Sequence, residues 1–176
     1  MELEILYAIQ GWHTELLDKV MVFISALGNG GLIWIAISVV LLIPQKTRRM
    51  GFTMMGAMAL SYLLGNLMLK NLIGRERPCV VDTSVTLLIP QPGEYSFPSG
   101  HTLNGFTAAT VIFLYSKKAG IPALVFAAAI AFSRLYLFVH YPTDILGGIL
   151  LGVADAVIVY MLVQRVSKRK EQLQKK

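Results

Sequence analysis

Long apolar runs separated by short polar segments constrain the fold of this 176-residue chain more than any other feature of its sequence. A transmembrane helix needs about 20 mostly apolar residues. Charged residues make up only 15% of the chain, whereas a typical soluble domain has about 25%. The apolar runs cover residues 20–43, 50–69, 102–115, 121–139 and 145–163. They predict an all-α, polytopic membrane helix bundle, formed by residues 1–176 as a single membrane-embedded domain.

The first apolar run is interrupted by a Gly-Asn-Gly-Gly sequence at residues 28–31. Glycine clusters break helices, so this run can form either one helix or two half-helices. The sequence therefore predicts five or six transmembrane helices. The preceding residues 1–17 place Leu3, Leu6 and Ile9 at helical spacing among polar residues. This pattern predicts an N-terminal amphipathic helix that lies in the membrane interface.

The basic residues predict how the helices are oriented. The chain has 16 Lys and Arg residues and 10 Asp and Glu residues. The basic residues cluster at the ends of the apolar runs. Clusters at residues 45–49, 116–120 and 165–176 face the cytoplasm by the positive-inside rule, which predicts a cytoplasmic C-terminus and a solvated tail over residues 168–176. Residues 70–101 and 140–144 then both fall on the outer face. This distribution is typical of membrane loops, and it argues against nucleic acid as the partner.

The segment KNLIGRERP at residues 70–78 carries basic residues on the predicted outer face, against the positive-inside rule. Lys70 and Arg77 are two helical turns apart, and Gly74 and Pro78 predict a break in the helix between and after them. Arg77 offers a planar fork and Lys70 a point charge to a phosphate. Alternatively, these residues and Arg75 only extend to lipid headgroups, which is the interpretation we favour for Arg75.

The segment PSGH at residues 98–101 precedes an apolar run. Ser99 is a good N-cap, and the free N–H groups of a first helical turn form an anion site. Gly100 allows the backbone to approach an anion closely. His101 can then give a proton to a leaving oxygen. Alternatively, Ser99 only caps the helix and His101 is an interfacial residue.

The segment SRLYLFVHYPTD covers residues 133–144. Pro142 disfavours helix in the residue before it, so we expect a turn there and a new helix that starts near Thr143. Asp144 can then accept a hydrogen bond from one nitrogen of His140 and leave the other free to attack. Arg134 lies in an apolar helix, where a charge indicates a functional site. The alternative is a structural Arg134–Asp144 ion pair.

Two other residues carry weaker signals. Asp155 lies in the last apolar run, and we interpret it as a hydrogen-bonded packing residue rather than a proton relay. Cys79 is the single cysteine, which excludes an internal disulfide, and we interpret it as an inert thiol.

The inventory of three cations, two histidines and one carboxylate suits phosphoryl transfer, but other classes remain open. His101, His140 and Asp144 could ligate a metal, although three nearby cations oppose this. Ser99 could serve as the nucleophile of a serine hydrolase, which would leave the cations without a purpose. A non-enzymatic lipid or anion transporter is a further class, and the broken first run and Asp155 favour it.

Taken together, the patterns K-x6-R-P, P-S-G-H and S-R-x5-H-x3-D resemble the signature of the type 2 phosphatidic acid phosphatase superfamily, which includes integral-membrane lipid phosphatases. The resemblance covers residues 70–144. It implies that His140 is the nucleophile that becomes a phosphohistidine, that Asp144 orients it, and that His101 handles the proton. It implies a phosphate cradle formed by Lys70, Arg77, Ser99, Gly100 and Arg134. It also implies no metal and no cofactor.

The resemblance implies a lipid phosphate or pyrophosphate as the substrate and the cell membrane as the location, with the site on the extracellular or periplasmic side. Undecaprenyl pyrophosphate is our first choice. The alternatives are phosphatidylglycerophosphate, phosphatidic acid or diacylglycerol pyrophosphate, followed by a phosphorylated lipid A. The motifs carry no signal for the oligomeric state.

Overall fold

The computed structural model describes residues 1–174, and these form helices joined by turns and loops, without a β-strand. The all-α prediction is therefore confirmed for this part of the chain. Lys175 and Lys176, which belong to the predicted solvated tail, lie outside the described residues. The helices are α1 (Glu2–Gln10), α2 (Glu15–Leu27), α3 (Leu32–Leu42), α4 (Gln45–Ser61), α5 (Lys70–Ile73), α6 (Pro78–Val81), α7 (Gly100–Tyr115), α8 (Lys117–Tyr136) and α9 (Pro142–Gln174).

The first apolar run is broken at the predicted place. A 3-10 turn at Asn29–Gly31 separates α2 from α3, and the two helices are bent by 43°. Gly30 and Gly31 have φ angles of 59° and 69°, which glycine adopts without the steric cost that a Cβ imposes. The break is therefore a consequence of the local sequence.

Three helical stretches of the described chain are long and apolar enough to cross a membrane, and a fourth is added if the bent α2–α3 pair forms one span. The three stretches are Gln45–Val81, Lys117–Tyr136 and Pro142–Arg169. Helix α7 corresponds to another predicted span, but it has 16 residues, fewer than the about 20 that a typical span needs. The count of five or six spans therefore stays a prediction.

One end of the bundle carries the basic loops, and the opposite end carries the three sequence motifs. Arg49, near the start of α4, donates a hydrogen bond of 2.6 Å to Gln164 toward the end of α9. Asp144 lies in the first turn of the same helix. At a rise of 1.5 Å per residue, about 30 Å of helix separates Asp144 from Gln164. The predicted cytoplasmic loops and the predicted site residues therefore lie at opposite ends of the bundle.

Helix α7 packs against α4, α8 and α9 at the centre of the bundle. Its contact with α4 and α9 contains a buried polar cluster. The hydroxyl of Ser61 donates a 2.7 Å hydrogen bond to Asp155 and lies 2.7 Å from the hydroxyl of Thr107. Asp155 is thus hydrogen-bonded at a buried helix contact, and our interpretation of it as a packing residue rather than a proton relay stays a prediction.

Helix α1 covers the loop between α8 and α9. Leu6 and Ile9 are buried in a cluster with Tyr136 and Phe138 of this loop region. The side chain of Gln10 donates a 2.9 Å hydrogen bond to the carbonyl of Tyr136. Helix α1 therefore stabilises the loop that carries His140. Its location in the membrane interface stays a prediction.

Candidate active site

One cavity of about 230 Å³ collects side chains from all three sequence motifs. The motif residues that line it are Lys70, Arg77, Gly100, His101, Arg134 and His140. They come from the start of α5, the residue before α6, the start of α7, the end of α8 and the loop that follows α8. Because these segments are distant in the chain, helix packing brings them together, as the predicted topology requires.

The local backbone directs Lys70 and Arg77 toward this cavity. A π-helical segment, Tyr62–Leu69, immediately precedes Lys70, and such segments often occur at functional sites. The helix then ends at Gly74, whose φ of 60° lies in the left-handed region. Pro78 occupies the first turn of α6. The break predicted from Gly74 and Pro78 is therefore present, and it turns the chain so that both cations face one point.

Lys70 is buried and pairs with the carboxylate of Glu94. Glu94 lies on the loop between α6 and α7, and its own side chain is 72% exposed. The hydrogen bond from Lys70 lowers the pKa of Glu94 below its usual value. Glu94 is therefore an ionised carboxylate that is paired with the Lys70 ammonium. A substrate phosphate would have to compete with Glu94 for Lys70.

Arg77 is held by the backbone. Its guanidinium donates to the carbonyls of Glu94 at 2.6 Å and Val139 at 2.8 Å. The Nη1 atom also lies 3.0 Å from Nε2 of His140. These contacts fix the orientation of Arg77 and tie the loop before α7 to the loop after α8.

Arg134 is 3% exposed and lies in the last turn of α8. Its Nη1 donates a hydrogen bond to the hydroxyl of Ser25 in α2. Its Nε is buried and has no hydrogen-bond partner. An unpartnered buried donor on a cation is costly, so an anion in this cavity would satisfy it.

Helix α7 begins at Gly100, with Ser99 in the N-cap position. The predicted capping bond of Ser99 is not formed. Its hydroxyl is fully buried and accepts a 3.0 Å hydrogen bond from Thr102. Gly100 and His101 line the cavity, and Nε2 of His101 lies 3.0 Å from the amide oxygen of Asn29.

His140 lies in the loop between α8 and α9, and it is 1% exposed. Because arginine is always a donor, the Nε2 that faces Arg77 accepts, and the hydrogen belongs on Nδ1. Nδ1 lies 3.5 Å from a carboxylate oxygen of Asp144. Burial lowers the pKa of His140 to about 3. The ring is therefore neutral at physiological pH, with the Nε2 lone pair on the side of the cations.

Asp144 is fully buried, and both of its oxygens are hydrogen-bonded. One oxygen accepts from the Ser96 hydroxyl at 2.5 Å and from the Tyr141 N–H at 2.8 Å. The other accepts from Nη1 of Arg75 at 2.7 Å. Our interpretation of Arg75 as a headgroup contact is therefore wrong. Sequence spacing could not reveal this contact because it joins the loop after α5 to the first turn of α9.

Arg75 connects Asp144 to the N-terminal helix. Its second nitrogen donates to Glu2 at 2.6 Å, and its guanidinium lies 3.9 Å from the centre of the Tyr141 ring. Asp144 thus pairs with Arg75, while Arg134 contacts Ser25. The alternative of a structural Arg134–Asp144 ion pair is not what the structure shows.

Among residues 1–174, no three His, Cys, Asp or Glu side chains cluster as metal ligands would. The absence of a metal from the reaction stays a prediction, and chelation tests it. Sequence analysis missed Asn29, Glu94 and Ser96 at this site, and it assigned Arg75 to lipid headgroups instead of to Asp144. None belongs to a periodic pattern, so the sequence offered no signal for them beyond the polarity of the segments that carry them.

The PAP2 superfamily model matches residues 50–168. This match covers more than half of the chain and includes all three motifs, so the chain belongs to the PAP2 superfamily. The resemblance stated from the motifs is confirmed.

Two individual proteins of known name are similar to this chain over most of its length. An undecaprenyl-diphosphatase of Sulfolobus acidocaldarius is 36% identical over 77% of this chain and 66% of that protein. The undecaprenyl-diphosphatase BcrC of Bacillus subtilis is 31% identical over 95% of this chain and 84% of that protein. This chain therefore spans slightly less than two thirds of the archaeal relative and most of BcrC.

Solved structures share the fold. LpxE of Aquifex aeolicus superposes with a TM-score of 0.80 at 29% identity, covering 91% of this chain and 94% of LpxE. A transmembrane PAP2-type phosphatidylglycerolphosphate phosphatase from Bacillus subtilis gives 0.76 at 28% identity, covering 93% of this chain and 84% of that protein. These likenesses support the prediction that this is a membrane protein.

Proposed function

We propose that this chain is a membrane phosphatase that removes a phosphoryl group from a lipid pyrophosphate through a phosphohistidine at His140. One observation carries the proposal. His140 lines a cavity with three cations and a second histidine, and its Nε2 faces the cations while its Nδ1 faces a buried carboxylate.

In the first step, Nε2 of His140 attacks the terminal phosphorus as the bond from phosphorus to the bridging oxygen breaks. His101 gives its proton to the departing oxygen, and the lipid leaves with one phosphate fewer. Asp144 stabilises the positive charge that develops on His140 through the hydrogen on Nδ1. In the second step, His101 takes a proton from water, and the resulting hydroxide attacks the phosphohistidine. Inorganic phosphate leaves, and His140 is neutral again.

Phosphoryl transfer depends mainly on positioning and on stabilising the charge of the equatorial oxygens. Lys70, Arg77 and Arg134 can supply this charge without a metal. Arg134 is the best placed because its Nε has no other partner. Lys70 must exchange Glu94 for the phosphate, since it pairs with that carboxylate in the structure. The amide of Gly100, at the start of α7, adds a neutral donor. Ser99 stays a predicted phosphate ligand, although its hydroxyl faces Thr102.

We rank undecaprenyl pyrophosphate first because two relatives are named as undecaprenyl-diphosphatases. Phosphatidylglycerophosphate follows, in accordance with the name of one structural neighbour. The positive-inside rule supports an outward-facing site and a cytoplasmic C-terminus, since the basic loops lie at the opposite end of α9 from Asp144.

Phosphate release from a lipid panel tests this function. The purified protein is given undecaprenyl pyrophosphate, phosphatidylglycerophosphate or phosphatidic acid in detergent, with and without EDTA. We expect the first lipid to react fastest and EDTA to change the rate by less than about twofold, since the cations replace the metal. Loss of activity in EDTA would favour the metal hydrolase. Recovery of all lipids unchanged, with no free phosphate, would favour the transporter and contradict the proposal.

A further inference from the structure

The break between α2 and α3 reaches the catalytic cavity, although it belongs to none of the sequence motifs. The amide oxygen of Asn29 lies 3.0 Å from Nε2 of His101. Four residues earlier, Ser25 accepts a hydrogen bond from Arg134. Gly28 and Gly30 line the same cavity. One short segment therefore contacts both a cradle cation and the histidine assigned to proton transfer.

Gly28 permits this contact through its size. A Cβ at this position would lie 2.7 Å from the His101 ring and 2.8 Å from the Ile130 side chain. Real Cβ atoms do not approach other atoms this closely, so one of the groups would have to move. The backbone of Gly28 has φ −83° and ψ −6°, which any residue can adopt. The close approach to His101, rather than the backbone conformation, thus requires glycine here.

We propose that Asn29 is a positioning residue for proton transfer by His101, and that the α2–α3 break exists in the catalytic site to present it. This inference rests on the proposed phosphatase function. The amide oxygen of Asn29 can accept an imidazole N–H but cannot take the proton away, because a neutral amide is not a base at physiological pH. Asn29 therefore holds the ring through the Nε2–H of the His101 imidazolium, and the other ring nitrogen gives its proton to the departing oxygen and later takes one from water.

The surroundings of His101 make such an acceptor useful. The other charged or titratable side chains that line the cavity are Tyr62, Lys70, Arg77, Glu94, Arg134 and His140. Three of them are cations, which oppose the positive charge that His101 carries after it takes a proton from water. The dipole of the Asn29 carbonyl stabilises that charge locally. Glu94, the one carboxylate, is already paired with Lys70.

Variants of Asn29 test the proposal on the full-length protein in detergent. Asn29→Leu keeps the approximate shape and removes the acceptor, so we expect kcat for undecaprenyl pyrophosphate to fall about tenfold or more, as when general acid–base catalysis is impaired. KM and inhibition by vanadate should change less than about twofold, since the cradle is intact. Asn29→Asp keeps an acceptor oxygen and should restore most of kcat. Asn71→Ala is the control, because Asn71 is exposed and bonds only to the carbonyl of Leu67.

Substitution of Gly28, which lies against the His101 ring, gives a second test of the proposal. Gly28→Ala should lower kcat by displacing the His101 ring. Gly56→Ala is the matched control, since a Cβ there meets only an ordinary contact of 3.4 Å with Val159. Thermal unfolding in detergent checks that each variant is folded, and the rate of a folded Gly28→Ala protein is then compared with that of Asn29→Leu.

Three results would overturn this inference. Asn29→Leu could retain the wild-type kcat, Asn29→Asp could be as slow as Asn29→Leu, or the loss could appear in vanadate affinity instead of kcat. Each would show that Asn29 does not act through the proton of His101. A wild-type protein that releases no phosphate from any lipid of the panel would instead refute the proposed function, on which the inference depends.

Discussion

At the scale of single residues, the two histidines of the cavity are distinguished by what their nitrogens contact. The Nε2 of His140 faces Arg77, and its Nδ1 lies 3.3 Å from the Ser96 hydroxyl and 3.5 Å from Asp144, so the Nε2 lone pair points toward the cations. His101 has Asn29 on Nε2, which suits a proton carrier. The motifs alone place both histidines near one another, but only the contacts of each ring support different roles.

Arg75 is predicted to act through Asp144. Arg75→Ala leaves one oxygen of a fully buried carboxylate without its charged partner, and an unpaired buried charge is strongly unfavourable. We expect kcat to fall about tenfold or more, while inhibition by vanadate stays within about twofold because Arg75 is not in the cradle. Arg75→Lys should restore part of kcat, since it keeps the charge without the fork. An equal loss of kcat and of vanadate affinity would place Arg75 in the cradle instead.

Glu94 is predicted to compete with phosphate for Lys70. Glu94→Gln removes the competing charge, so we expect vanadate to inhibit about three- to tenfold more strongly at pH 7, which corresponds to about 0.7–1.4 kcal/mol. The hydrogen bond from Lys70 lowers the pKa of Glu94, so the carboxylate is ionised at neutral pH, and the difference between wild type and variant should shrink as the pH falls through that lowered value. Unchanged inhibition of Glu94→Gln at pH 7 would show that Glu94 does not compete with phosphate, and weaker inhibition would show that it supports phosphate binding.

At the scale of helices, most elements that surround the site were predictable from local chemistry. The glycine cluster at residues 28–31 predicted the break in the first apolar run, Gly74 predicted the end of α5, and Pro142 predicted the start of α9. Each depends on backbone preferences within a few residues. The contacts of Arg75 with Asp144 and of Asn29 with His101 join distant parts of the chain, so no local pattern could predict them. The loop between α6 and α7 lacks periodicity, and the positions of Glu94 and Ser96 on it follow only from packing.

The polar cluster between α4, α7 and α9 gives a prediction at this scale. Asp155→Asn keeps an oxygen that accepts from Ser61, so we expect at least about half of the wild-type rate, as for a residue outside the proton path. Asp155→Leu leaves the Ser61 hydroxyl without this acceptor and should lower the free energy of unfolding by about 1–3 kcal/mol. Thermal unfolding and phosphate release check the two variants. If Asp155→Asn were folded and inactive, Asp155 would be a proton relay.

At the scale of the whole molecule, α9 connects the two ends of the bundle. Asp144 lies at one end, and the basic start of α4 contacts α9 at the other through Arg49. The basic end is predicted to face the cytoplasm, so the cavity is predicted to open at the outer face of the membrane. A lipid headgroup there would meet the cations while its tail stays in the bilayer.

Cysteine labelling tests this orientation. In a Cys79→Ser background, Gly93→Cys lies on the exposed loop before α7, and Lys117→Cys lies at the exposed start of α8. We expect a membrane-impermeant maleimide to label Gly93→Cys on intact cells and Lys117→Cys only after the membrane is opened. The reverse pattern would place the cavity on the cytoplasmic side and contradict the predicted topology.

The most direct test of the central claim is to find the residue that carries the phosphoryl group during turnover. The protein is mixed with undecaprenyl pyrophosphate, quenched in alkali to preserve phosphohistidine, and digested for mass spectrometry. We predict that His140 carries the phosphoryl group, at a higher steady-state level than any other residue. The His140→Gln variant should lose both this phosphoryl group and turnover. Phosphorylation of His101 would reverse the two roles, and turnover without any phosphorylated residue would contradict the covalent mechanism.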